Sequence, residues 1–127
     1  MAQGALFIGW GNAVRGREQL SLQVFQEALQ FFGQLQQSGQ IESFEPVQLE
    51  PHGGDLAGFL LIKGDSQRLA QLRMDEDFLR LTARGQMVVE HFGVAAAFLG
   101  DQLQRLFTEF GQQASDLLGQ QPGGTPR

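Results

Sequence analysis

The chain of 127 residues contains no cysteine and no tyrosine, a single tryptophan and only four prolines. Without cysteine it has no disulfide, no thiolate nucleophile and no cysteine-based metal site. Basic residues are scarce: nine against 14 acidic ones, for a net charge of −5 and no long basic run. That balance lacks the electrostatic footprint of phosphate-backbone binding, so neither nucleic acid nor an anionic membrane surface is an expected partner. Long hydrophobic runs are missing too. Met1-Ala2-Gln3-Gly4 leads straight into a short strand without a basic n-region, nothing reads as a signal peptide or membrane span, and a cytoplasmic location is expected. The length suits one domain with a modest core, not separate cofactor and substrate lobes.

What is present is an order of periodicities. Apolar runs with a period of two cover 5–10, 41–50, 56–63 and 87–98, and helical patterns cover 17–37 and 66–84 between them. The order βαββαβ defines an α+β class with an antiparallel sheet, the split βαβ or ferredoxin-like arrangement, with sheet order 4-1-3-2 expected. In the first helix Leu20, Val24, Ala28, Phe31 and Leu35 form a core-facing stripe, and Ser38-Gly39 stops it, Gly39 being able to take the left-handed conformation after the cap. Pro46 cannot donate to a ladder, which puts the second strand at a sheet edge. Glu50-Pro51-His52-Gly53-Gly54-Asp55 reads as the hairpin connection. Ser66 is the expected cap of the next helix and Asp75 of a second segment, with a break near Arg73-Met74. The fourth strand, Met87 to Phe98, is expected to place His91 on the face of Val89 and Ala95, and Glu90 on the other. A further amphipathic helix, about 101–118, carries Leu103, Leu106, Phe107, Phe110, Ala114, Leu117 and Leu118. The expected domain therefore spans 1–119, and the tail 120–127, without apolar content, is expected to be disordered.

Two of the strands, Ala5-Leu6-Phe7-Ile8 and Phe59-Leu60-Leu61-Ile62, are apolar on both faces, although a lone split βαβ unit covers only one face with helices. The uncovered face would exceed the apolar patch of an ordinary soluble monomer. A twofold homodimer with sheets packed face to face removes it; the competing solution is cover by the chain's own last helix.

The combination of Gly9-Trp10-Gly11, Arg15-Gly16-Arg17-Glu18 and Leu49-Glu50-Pro51-His52-Gly53-Gly54 in such a chain resembles a family of small uncharacterised bacterial proteins of the dimeric α/β-barrel superfamily, over about residues 4–100. The resemblance implies the ferredoxin-like fold and dimeric assembly. More distant relatives in that superfamily include cofactor-free monooxygenases, haem-handling enzymes and plain small-molecule binders, whose catalytic signatures do not map onto this sequence residue by residue.

Candidate chemistry concentrates in a few places. Arg15 and Arg17 flank Gly16 just before the first helix, where free backbone N–H groups favour an anion; the competing reading pairs Arg17 with Glu18 or Asp65. Trp10 sits where the first strand meets this loop and can wall a pocket. The histidines, His52 in the hairpin and His91 on the fourth strand, are the side chains whose ordinary pKa lies near neutrality and are the candidate bases; for each the alternative is a structural role. No spaced acidic partners accompany them, so no metal site is expected, and no cofactor is called for. Asp75-Glu76-Asp77 reads as capping and solvation.

The leading expectation is a small-molecule-binding protein with Trp10, Asn12, Arg15, Arg17 and His52 at the mouth of its pocket and an anionic or aromatic ligand. The alternatives are a cofactor-independent monooxygenase-like or isomerase-like enzyme using His91 or His52 as base, and a structural or regulatory dimer module without a pocket.

Overall fold

The computed structural model describes residues 3–119; the tail expected to be disordered, 120–127, lies outside the described residues. The chain to Ala97 forms one compact unit, and Phe98 onward a second. In the first unit β1 (Gln3–Trp10), β2 (Ser43–Gln48), β3 (Gly58–Asp65) and β4 (Gly93–Ala97) form one antiparallel sheet in the order β2-β3-β1-β4, as expected. Helix α1 (Glu18–Gln37) connects β1 to β2, and α2 (Ser66–Leu72) with α3 (Glu76–Val88) connects β3 to β4. The register runs from Gln3↔Asp65 to Trp10↔Gly58 between β1 and β3, and from Ala5↔Ala97 to Gly9↔Gly93 between β1 and β4. This is the ferredoxin-like fold.

Strand alternation sends Leu6, Ile8 and Trp10 of β1 and Leu60 and Ile62 of β3 to the helical side. There they cluster with Phe44, Val94, Leu69, Leu72, Phe78 and the fully buried Phe32 of α1. Phe32 is the hub of an aromatic group, its ring centroid 5.1 Å from Phe31, 6.0 Å from Phe44 and 6.4 Å from Phe78. Arrangements at such separations contribute beyond simple area burial. The opposite face carries Ala5, Phe7, Phe59, Leu61 and Val47, with the Phe7 and Phe59 rings 5.3 Å apart.

Local signals decide where the elements stop. Gly39 follows the α1 cap at φ +80°, Pro46 lies on the edge strand β2, and the Asp75 carboxylate accepts from the N–H groups of Asp77 and Phe78 to open α3 after a break at Arg73-Met74. Three expectations need correction. Ser66 is the first residue of α2, not its cap; Asp65 caps it, its carboxylate accepting from Arg68 N–H at 3.2 Å. In α1 Leu20 is 51% exposed, while Phe32, outside the expected stripe, is buried completely. The apolar arc is wide, taking in Ala28, Leu29, Phe31, Phe32 and Leu35, and a single ladder of three and four steps follows only one of its edges. Finally, Met87 to Phe92 is not strand. α3 continues to Val88, which is buried, Val89 makes an isolated bridge to Ala13, and His91 turns the chain at φ +55° before β4 begins at Gly93. A short apolar run fits the last turn of a buried helix as well as a strand.

The second unit contains α4 (Gly100–Gly119), a helix with none of its residues buried, whose Leu103, Leu106, Phe107, Phe110, Leu117 and Leu118 share one exposed apolar side.

Replacing Phe32 with alanine removes the hub of the core and is expected to cost roughly 3–5 kcal/mol. Denaturant unfolding measures this, and a loss below about 1 kcal/mol would show that the core does not centre on that ring.

Candidate functional site

Between α1 and α3, on the helical side of the sheet, the packing leaves a cavity of about 460 Å³. Its floor is Ile8, Trp10 and Leu60; α1 contributes Val24, Phe25, Ala28 and Phe32; α3 contributes Leu81, Thr82, Gly85 and Val88. Trp10 meets Phe25 edge to face at 5.8 Å between centroids. Polar groups at the lining are few: the Trp10 indole, the amides of Asn12 and Gln48, and the hydroxyls of Ser21 and Thr82. Those hydroxyls already donate to the Glu18 and Leu79 carbonyls at 2.7 and 3.0 Å, which leaves them lone pairs to offer. No charged side chain lines the cavity.

One end of the cavity is built from backbone. Gly11 N–H donates to the Glu90 carbonyl at 2.6 Å, Glu90 N–H to the Asn12 carbonyl at 2.9 Å, and Ala57 N–H to the Trp10 carbonyl at 2.7 Å. Three segments meet so closely there that a Cβ at Gly11 would stand 2.8 Å from the Glu90 oxygen and 2.9 Å from the Asp55 oxygen. This explains the glycine after Trp10. The two helices are joined on the outside by a fork: Arg84 Nε and Nη2 donate to the two carboxylate oxygens of Glu27, each at 2.8 Å. The Arg84 hydrogen bonds, helped by one from Gln23, hold the Glu27 carboxyl below its usual range.

Of the residues singled out in the sequence, Trp10 and Asn12 line this cavity, and Arg15, Arg17, His52 and His91 do not. Arg15 and Arg17 are exposed. Arg17 Nη1 donates to the Met87 carbonyl at 2.6 Å, so it ties the loop to the end of α3 and pairs with neither Glu18 nor Asp65. The Glu18 carboxylate accepts from the Gly16 N–H at 3.1 and 3.3 Å, which puts a negative charge of the chain's own in the first turn of α1. His52 serves its own hairpin: Gly54 N–H donates to Nδ1 at 3.3 Å and Nε2 donates to the Leu56 carbonyl at 2.8 Å. His91 lies in the loop before β4, exposed, with Nε2 3.8 Å from Asp55 Oδ1.

Sequence reasoning missed Phe25, Thr82, Gly85, Val88 and Phe92. The signal for the α3 wall was available in the steps of four and three from Leu81 to Gly85 to Val88, once those positions are read as helix. Among the described residues no group of three His, Asp or Glu side chains could hold a metal ion, and no helix is long and apolar enough to cross a membrane.

No protein-family model and no curated protein matches the chain. Solved structures do resemble it. A dimeric protein of unknown function with a ferredoxin-like fold from Bacteroides fragilis superposes with a TM-score of 0.57 at 9% identity, over 76% of this chain and 96% of that one. SnoaB, a cofactor-independent oxygenase from Streptomyces nogalater, does so with a TM-score of 0.50 at 14% identity, over 79% and 98%. A point variant of SnoaB gives 0.52 at 12%, over 77% and 96%. At these identities the likeness establishes the fold.

The Glu27–Arg84 fork carries a pH signature. Because the folded-state pKa of Glu27 is lowered, its contribution to stability is present above the ordinary carboxylate range and is lost as pH falls through the lowered value. The thermal midpoints of the wild type and Glu27→Gln should therefore differ near neutrality and converge in acid. A gap that persists unchanged at low pH would assign the effect to something other than this pair.

Proposed function

We propose that the protein is a homodimeric small-molecule-binding protein whose ligand is an uncharged, largely apolar molecule held between α1 and α3. The observation that carries this reading is the cavity itself: about 460 Å³, within the ~300–1,000 Å³ range of small-molecule sites. Its walls are apolar and aromatic, with a few hydrogen-bonding groups and no charge. Burying an ion there would be costly, so an aromatic ligand fits the lining and an anionic one does not. In this reading Trp10 and Asn12 touch the ligand, while Arg17 holds the adjoining loop.

Dimerisation is supported by the apolar outer face of the sheet, with Phe7, Phe59, Leu61 and Val47, and by the dimeric state of the Bacteroides fragilis structure that shares the fold. Such a face is suited to a self-complementary twofold contact. The fold is shared with a cofactor-independent oxygenase, but here neither histidine lines the cavity. Binding is therefore the better reading of this site than base catalysis.

Trp10 is the only tryptophan, so its fluorescence reports on the cavity directly. The neutral dye N-phenyl-1-naphthylamine should quench it saturably in wild type. Ala28→Phe, which fills the space, should weaken binding at least about tenfold, the equivalent of about 1.4 kcal/mol. The pair Arg15→Ala and Arg17→Ala should leave it within about twofold, below about 0.5 kcal/mol. Native mass spectrometry should show a dimer. No saturable quenching, or equal binding by Ala28→Phe, would reject the site, and a monomer mass at micromolar concentration would reject the assembly.

A further inference from the structure

Next to the main cavity lies a second one of about 280 Å³, lined by Phe78, Leu79 and Val94 and, towards solvent, by Arg73 and Gln86. Two residues, Thr82 and Phe92, line both spaces. The wall between them is therefore shared by these two side chains, one of them an aromatic ring.

Phe92 is placed to be such a wall. It follows His91, the one non-glycine residue with positive φ among the described residues, at +55°, and immediately precedes the first residue of β4. Its ring lies over Gly85 of α3, where a Cβ would stand 2.8 Å from the ring atom Cε1 and 3.3 Å from Cδ1 and Cζ. The ring is half-buried, packed at the margin of the core. A hydrocarbon ring at such a margin is held by packing alone, and no hydrogen bond has to break for it to turn.

The two spaces differ in chemistry. The first is lined by no charge; the second presents a guanidinium and an amide. The Arg73 guanidinium reaches the Val94 carbonyl only at 3.4 Å, a long bond that leaves most of its donor capacity open. Together they describe an apolar chamber continuing, past one ring, into a polar one.

We propose that Phe92 is the specificity-determining divider of the site: it sets the length of ligand the apolar cavity accepts. Where that ring is removed, the second cavity opens to the polar or anionic end of an elongated amphipathic ligand, bound by Arg73 and Gln86. This rests on the reading of the main cavity as the ligand site.

The test uses the full-length protein and straight-chain alkanols and alkanoates of increasing length as competitors of N-phenyl-1-naphthylamine, read by Trp10 fluorescence. While a growing chain finds apolar room, each methylene tightens binding about fourfold. In wild type the gain is expected to stop where the chain meets Phe92. In Phe92→Ala it should continue for several more methylenes, and beyond the wild-type break alkanoates should bind at least about tenfold tighter than alkanols, a preference of about 1.4 kcal/mol. Phe92→Ala combined with Arg73→Gln should keep the longer reach and lose that preference. Phe92→Leu, a smaller loss of volume, should move the break by less and guards against an unfolded alanine variant. An unshifted break in cooperatively folded Phe92→Ala or Phe92→Leu overturns the divider, and a shifted break without the alkanoate preference overturns the polar subsite. Failure of the dye to bind wild type at all overturns the cavity reading itself, a separate result.

Discussion

The burial of Phe32 is the constraint on which the unit up to Ala97 depends. This one side chain from α1 reaches Phe44 on β2 and Phe78 on α3, so the position of the helix over the sheet and its distance from α3 are set together. A ring that is fully buried cannot shift without opening a void, because protein interiors are close-packed. The cavity is what remains when α1 and α3 are held at that spacing while the facing positions carry small residues such as Ala28 and Gly85. It is a product of the packing, with Phe32 itself forming part of its lining.

The lack of charge in the cavity lining follows from where the polar side chains find partners. Arg17 is used by the Met87 carbonyl, Glu18 by the Gly16 N–H, His52 by its own hairpin, and Glu27 and Arg84 by each other across the outside of the two helices. Each satisfies a local backbone or side-chain need in an exposed position, where such contacts individually contribute little to stability. Their effect is to keep charge away from the interior. A residue type that suggests anion binding in the sequence can thus be a clasp in the structure, and Arg17 is one.

Much of the fold was legible in the sequence because its signals are local. Pro46 marked an edge, Gly39 a helix end and Asp75 a helix start; the alternation in β1 and β3 showed two apolar faces. What escaped depends on tertiary context. Met87, Val88 and Val89 have the side chains of a strand, yet Val88 completes the buried side of α3. His91 has no alternation to belong to because the chain turns at it. In the candidate site, Trp10 and Asn12 were found because strand end and loop predict a rim. Gly85 and Phe92 were not, since a glycine beneath a ring seven residues later becomes visible only when helix and strand are placed side by side.

The two edges of the sheet differ from its face in how readily they would accept another strand. β2 carries Pro46, which has no N–H to offer, and the exposed Glu45 beside it; β4 on the other edge is only five residues long. Short, charged or proline-bearing edges are poor templates for another strand. Growth of the sheet sideways into a continuous ribbon or a fibril is therefore discouraged at both ends. The broad side of the sheet differs, since it offers apolar side chains and no free ladder groups to template a further strand.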